Sequence, residues 1–256
     1  TSPLAFTGNK FEFRMLGSSQ SVASPNIALN TIMAEELRQF ADILEGAEDF
    51  DKALHDLVCK AFTDHQRIIF DGNGYSEEWK QEAARRGLSN YPSTAECMAA
   101  YLSEKNLELV TSHGIFTENE FRARHAIQLE TYNKTVNIEA LTMVDMALHQ
   151  ILPAALRYTR DLCETVKAKK ELGVSCKAES ALIRHLSNTT DALYDSIIIL
   201  RSALDAVPGE TVAASKVHHD RVVPAMQELR KHADYLEQLT DKSYWPYPTY
   251  SDLLFY

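Results

Sequence analysis

Residues 182–204 read Leu-Ile-Arg-His-Leu-Ser-Asn-Thr-Thr-Asp-Ala-Leu-Tyr-Asp-Ser-Ile-Ile-Ile-Leu-Arg-Ser-Ala-Leu. Leu182, Leu186, Leu193, Ile197, Leu200 and Leu204 recur at steps of 4, 7, 4, 3 and 4. Only a helix brings residues at those steps onto one face. A second stripe, Val222, Met226, Leu229, Ala233 and Leu236, steps by 4, 3, 4 and 3. A third, Ile138, Leu141, Leu148, Leu152 and Ala155, follows the same rule with one gap of seven. Three such stripes bury best against one another, so the second half of the chain is predicted to be a long-helix bundle. Pro208-Gly209 separates two of the helices. Pro153 is expected to kink its helix and Pro224 to bend another, since each removes a ladder hydrogen bond.

Composition agrees. Only 17 of the 256 residues are Gly or Pro, few for a chain built on tight turns, so an all-β sandwich or barrel is excluded. Lys and Arg number 26 against 36 Asp and Glu, a net charge of −10, which repels phosphate backbones and argues against nucleic acid as a partner. No apolar run approaches the ~18 residues of a membrane span, and the N-terminus lacks a basic-then-apolar leader. No membrane partner is expected. Cys59, Cys97, Cys163 and Cys176 form no CxxC pair and read as free thiols of a reducing, cytoplasmic compartment. Asn133-Lys-Thr135 and Asn188-Thr-Thr190 match a glycosylation pattern by chance.

The N-terminal stretch differs from everything after it. Phe11-Glu-Phe-Arg-Met-Leu16 alternates apolar and polar residues, the period of a half-buried strand. Ser24-Pro25 is a helix-start signal and Gly46 a stop, so one helix is expected between them. Further helices are expected from Asp49 to Thr63, after Ser76, and over Thr94–Ser103 and Leu107–Ser112. Thr117-Glu-Asn-Glu120 matches a capping box. The tail Tyr244-Trp-Pro-Tyr-Pro-Thr-Tyr250 cannot be helical, and its aromatics are expected to lie over the bundle or in a neighbour's groove. The best domain boundary falls near residue 46, giving domains 1–46 and 47–256.

Several motifs invite chemistry. Asp145 and His149, four apart, could present two metal ligands on one helix face; such pairs more often make a local surface contact. His218-His219-Asp220 reads as a solvated face. Asp71-Gly-Asn-Gly74 lacks the downstream Glu of a calcium loop and the Lys of a phosphate loop, and reads as a tight turn using left-handed residues. Lys10, Glu12 and Arg14 alternate along the strand. A carboxylate flanked by two cations suits a site holding a divalent metal and phosphate together; the blander alternative is an exposed edge strand with salt-bridging side chains.

Gly8-Asn-Lys-Phe-Glu-Phe-Arg-Met-Leu-Gly-Ser-Ser-Gln-Ser-Val-Ala-Ser-Pro-Asn26 resembles the segment of glutamine synthetases that carries a metal-binding Glu and a substrate-binding Arg on one strand of the catalytic sheet. Thr1-Ser-Pro3, Phe70-Asp-Gly-Asn-Gly-Tyr-Ser-Glu-Glu-Trp79, Thr135-Val-Asn-Ile-Glu-Ala-Leu-Thr-Met143 and Trp245-Pro-Tyr-Pro-Thr-Tyr250 resemble the large type III branch. The resemblance implies ATP-dependent joining of ammonia to glutamate through a γ-glutamyl phosphate, with Mg or Mn and ATP, in a ring-shaped homo-oligomer. It implies that Glu12 is a metal ligand and that Arg14 contacts glutamate or the transferred phosphate. Lys10 stands where other branches often have Arg and offers a point charge in place of a bidentate fork. No role carries over to Ser18 and Ser19, where other branches have a Pro- and Asp-rich turn.

Members of that branch are much longer, with the remaining metal ligands, the nucleotide pocket and the catalytic acid and base lying upstream. This chain, which begins at Thr1 without an initiator Met, is therefore expected to be a C-terminal piece, without synthetase activity alone. The alternative is a helical interaction or oligomerisation module with no chemistry of its own.

Overall fold

The computed structural model describes residues 21–254 and the backbone of residues 4–6 and 11–13. Two short strands, β1 (Leu4–Phe6) and β2 (Phe11–Phe13), pair antiparallel, with Leu4 opposite Phe13, Ala5 opposite Glu12 and Phe6 opposite Phe11. All other described regular structure is helical. The contacts divide the chain into two units, residues 1–92 with 99–123, and residues 93–98 with 124–256.

The first unit contains α1 (Ala23–Leu44), α2 (Phe50–Asp64), a 3₁₀ turn at Gln66–Ile68, α3 (Glu77–Arg85) and α5 (Glu104–Ser112). Helix α4 (Thr94–Tyr101) and the long α6 (Glu118–Met146) each run from one unit into the other. Helix α1 starts before the expected Ser24 cap: the Ala23 N–H donates to the Ser21 hydroxyl, and Pro25 falls within the first turn. Its partners are α2 and α5. A three-donor junction ties α1 to α5. Glu35 accepts from Arg38, from Gln39 and, at 2.8 Å, from His113 at the C-terminal end of α5, and these bonds, Arg38's foremost, hold its carboxyl well below the usual range. Asp49 caps α2 through the Lys52 N–H, and Ser76 caps α3 through the Trp79 N–H. The capping box closes as expected: Glu120 N–H donates to the Thr117 hydroxyl and Thr117 N–H to the Glu120 carboxylate.

The second unit is the bundle. Helix α6, a π-turn (Ala147–Ile151) and α7 (Leu152–Glu171) form one continuous helical rod. Helix α8 (Lys177–Asp205) returns, and α9 (Thr211–Val217), a second π-turn (His218–Val222) and α10 (Val223–Leu239) form another rod. Helix α8 packs on both α7 and α10. Its Leu186, Leu193, Ile197 and Leu200 have no exposed surface, and Val222, Leu229 and Leu236 meet them from the other rod. The expected third stripe is corrected at its first two positions. Ile138 and Leu141 are exposed, whereas Leu148 and Leu152 pack against the core and Ala155 lies in it, and the seam runs through Val136, Ala140, Ala147, Ile151 and Ala155. Three alanines on that face let the rods approach closely where larger side chains would hold them apart.

The tail folds back onto its own bundle. Trp245 and Tyr247 pack against the core cluster, and the Tyr244 hydroxyl donates to Asp161 of α7. A last helix, α11 (Tyr250–Leu254), is fastened by Tyr250, whose N–H donates to Glu237. Lys242 and the Thr249 N–H and hydroxyl all donate to Asp252.

Two expectations follow. Leu193→Ala, at a site with no exposed surface, should cost about 2–5 kcal/mol in urea unfolding. The second concerns acid. Lys242 first, then Thr249, lower the Asp252 carboxyl to about 2 in the folded chain, against an ordinary 3.8. A depressed folded value means the contribution is complete above about pH 4 and is lost as pH falls toward 2. In a Trp79→Phe background, which leaves Trp245 as the sole Trp, the Trp245 emission should report tail release in that window. Asp252→Asn should release the tail at neutral pH.

Candidate functional site

The strand residues come first. Glu12 sits on β2, opposite Ala5 of β1. Lys10 and Arg14 lie outside the described residues, so the Lys10–Glu12–Arg14 arrangement is a place in the sequence and not a measured geometry. The described residues do not complete a metal site: among them no cluster of three or more His, Cys, Asp or Glu could hold an ion. Glu12 could offer one hard oxygen ligand, and the other ligands would have to come from elsewhere.

The helical motifs resolve differently. His149 and Asp145 make the local pair, Nδ1 to Oδ1 at 2.8 Å, both well exposed. The solvated-face reading of His218–Asp220 holds for one histidine and fails for the other. His219 faces Asp220 at the surface, whereas His218 is 2% exposed. Its Nδ1 donates to the Ala214 carbonyl at 2.9 Å, its Nε2 has no partner, and burial pushes its pKa below the usual imidazole value.

The cause is the π-turn. Leu152 N–H reaches Ala147 O, and Val223 N–H reaches His218 O, each spanning five residues. In both rods a proline follows at the next position, Pro153 or Pro224. Proline cannot donate to the carbonyl four residues back, and its ring needs room there. One extra residue in the turn supplies that room. The expected kinks are therefore taken up as π-turns within continuous rods, and His218, four residues after the buried Ala214 of α9, opens the second of them on the same inward face.

The Asp71–Gly74 loop is a turn, but not one built on left-handed residues: the described positive-φ glycines are Gly87, Gly114 and Gly173. The Asn73 side chain accepts the Tyr75 N–H instead, an Asx-type turn. Phe70 stacks on Trp79 with centroids 4.0 Å apart. The Arg86 guanidinium lies 5.5 Å from the Trp79 ring and donates to the Ile69 carbonyl and to Glu82. These contacts fix a rigid loop that leaves Tyr75 exposed.

A feature that sequence reading missed is a cavity of about 740 Å³ in the second unit, between α6, α10 and the tail. Met143, Met146, Met226 and Trp245 line it, and Glu139, Asp234 and Glu237 stand among the lining residues. The spacing of the methionines on α6 and α10 was the available signal.

Residues 53–170 match the family model of the glutamine synthetase C-terminal domain. The whole chain is 37% identical to the type-3 glutamine synthetase of Dictyostelium discoideum and 34% identical to glutamine synthetases of Butyrivibrio fibrisolvens and Bacteroides fragilis. It spans only 36–37% of the length of these curated relatives. No described helix is long and apolar enough to cross a membrane. The Cys59, Cys97, Cys163 and Cys176 thiols are free. By this similarity the chain belongs to the glutamine synthetases of the type III branch, as the counterpart of the C-terminal part of those longer chains.

Proposed function

We propose that the chain serves as the C-terminal part of a glutamate–ammonia ligase, which joins ammonia to glutamate with ATP through a γ-glutamyl phosphate. The observation that carries this reading is the full-length match, at 34–37% identity, to the C-terminal part of glutamine synthetases. In this reading residues 1–46 end the catalytic domain and residues 47–256 form a helical domain. The start of the family-model match at residue 53 supports that division.

Within the site, Glu12 would supply one carboxylate ligand to a divalent ion, Mg or Mn, which when bound neutralises phosphate charge. Arg14 would hold the glutamate carboxylate or the transferred phosphoryl oxygens through its planar fork. Lys10 would add an unforked positive charge nearby. These side chains bind and orient; the remaining ligands and the acid and base lie outside this chain in the proposal.

The helical part would be support and assembly surface. Helix α2 favours that role. Phe50, Leu54, Val58 and Phe62 recur every four residues and are all exposed, a ridge that suits packing against other parts of a ring-shaped homo-oligomer. A cytoplasmic location accords with the free thiols.

Glu12→Ala in the full-length enzyme is expected to abolish metal-dependent glutamine formation while thermal unfolding stays unchanged. Unchanged turnover, with stability altered by about 0.5 kcal/mol or less, is the signature of a merely structural edge strand and contradicts the proposal. The isolated 256 residues are expected to form no glutamine from ATP, glutamate and ammonia; measurable formation would refute the division of labour.

A further inference from the structure

The cavity beside the tail has no part in the ligase reading. Its two long walls are helix faces. On α6, Ile138, Thr142 and Met146 are four residues apart, with Met143 beside Thr142; on α10, Met226, Leu229 and Ala233 are three and four apart. At 1.5 Å per residue each wall runs for roughly 10–17 Å, two to three helical turns. The tail, with Trp245, Tyr247 and Tyr250, lines a third side.

Three properties of this groove point the same way. Its volume, about 740 Å³, is that of a binding site and not of a packing defect. Three of the chain's six methionines line it, and Met side chains adapt to varied apolar partners. The apolar surface continues outward, since Ile138 and Leu253 of its lining are 63% and 66% exposed.

Charge then selects the occupant. Glu139, Asp234 and Glu237 line the groove against one cation, Arg230, a local balance of −2. Arg230 is already engaged, donating to the Tyr250 hydroxyl at 2.8 Å and reaching Asp234 at 3.4 Å. Glu139 is exposed and makes no ion pair with a described residue. A second copy of a chain carrying −10 would bring like charge to a negative rim.

We propose that this groove docks a basic amphipathic helical segment of a partner protein. Its apolar residues enter between α6 and α10, and a Lys or Arg side chain meets the exposed Glu139, whereas Asp234 and Glu237 already bond Arg230 and Tyr250.

The test uses the 256-residue chain carrying Trp79→Phe, so that Trp245 in the groove wall is the only Trp of these residues. The probe is a 14-residue Leu/Lys helical peptide; a Leu/Glu peptide of the same pattern and a Lys-only peptide are the comparisons. The Leu/Lys peptide should change Trp245 emission saturably at one peptide per chain, and neither comparison should. Glu139→Lys should weaken binding at least tenfold, whereas Glu171→Lys and Asp205→Lys, exposed and away from the groove, should weaken it less than twofold. Circular dichroism confirms that each variant is folded. Equal weakening by all three reversals, or equal binding of the Lys-only peptide, would overturn the proposal as general attraction to an acidic protein. Concentration-dependent dimerisation without peptide, abolished by Glu139→Lys, would overturn it in favour of a second copy.

Discussion

The second unit depends on one burial event. Leu186, Leu193, Ile197 and Leu200 of α8 lose all contact with water, and α7 and α10 both pack on this helix. Removing such side chains from water is the main driving force available to a bundle poor in tight turns. Everything further out rests on it. Val222, Leu229 and Leu236 are set by meeting α8, and Trp245 and Tyr247 close over the same cluster. The tail is thus an outer layer of the core, held at its edge by bonds from Tyr244 and Tyr250 to Asp161 and Glu237.

The two prolines impose the second constraint. Each rod must pass a residue that cannot complete the helical ladder, and each does so with a five-residue π-turn ending one residue before the proline-bearing turn. The solution keeps the rods continuous, and it changes which side chains face inward beyond that point. His218 opens the second π-turn on the buried face that Ala214 and Ser215 begin, with only one of its ring nitrogens bonded. A buried polar group of this kind is tolerated because the packing around it is already determined by larger apolar neighbours.

Legibility followed the chemistry of the signal. The stripes of α8 and α10 were readable because their core positions are large aliphatic residues. The first part of the third stripe was misread because the inward face there relies on the small Ala140 and Ala147, while the conspicuous Ile138 and Leu141 are exposed. Caps at Asp49, Ser76 and Thr117 were local and readable; the π-turns were not, since a proline alone does not say whether a helix kinks or widens. The Lys10–Glu12–Arg14 segment gained its meaning only from resemblance, because three alternating charges on a strand are also what an ordinary edge looks like. The cavity escaped notice because its lining is assembled from α6, α10 and the tail, and the whole of α7, α8 and α9 lies between the first and the second in sequence.

The division of labour proposed above joins these observations: in it a short N-terminal strand segment would contribute to a site completed elsewhere, and a helical scaffold would stand apart from the chemistry. Hydrogen–deuterium exchange on the full-length protein, with and without Mn²⁺ and ADP, tests it most directly. The account predicts that residues 9–16 gain protection when both are added while the α8 amides at 186–200 stay unchanged. Unchanged exchange at 9–16, with protection appearing in the bundle instead, would contradict it.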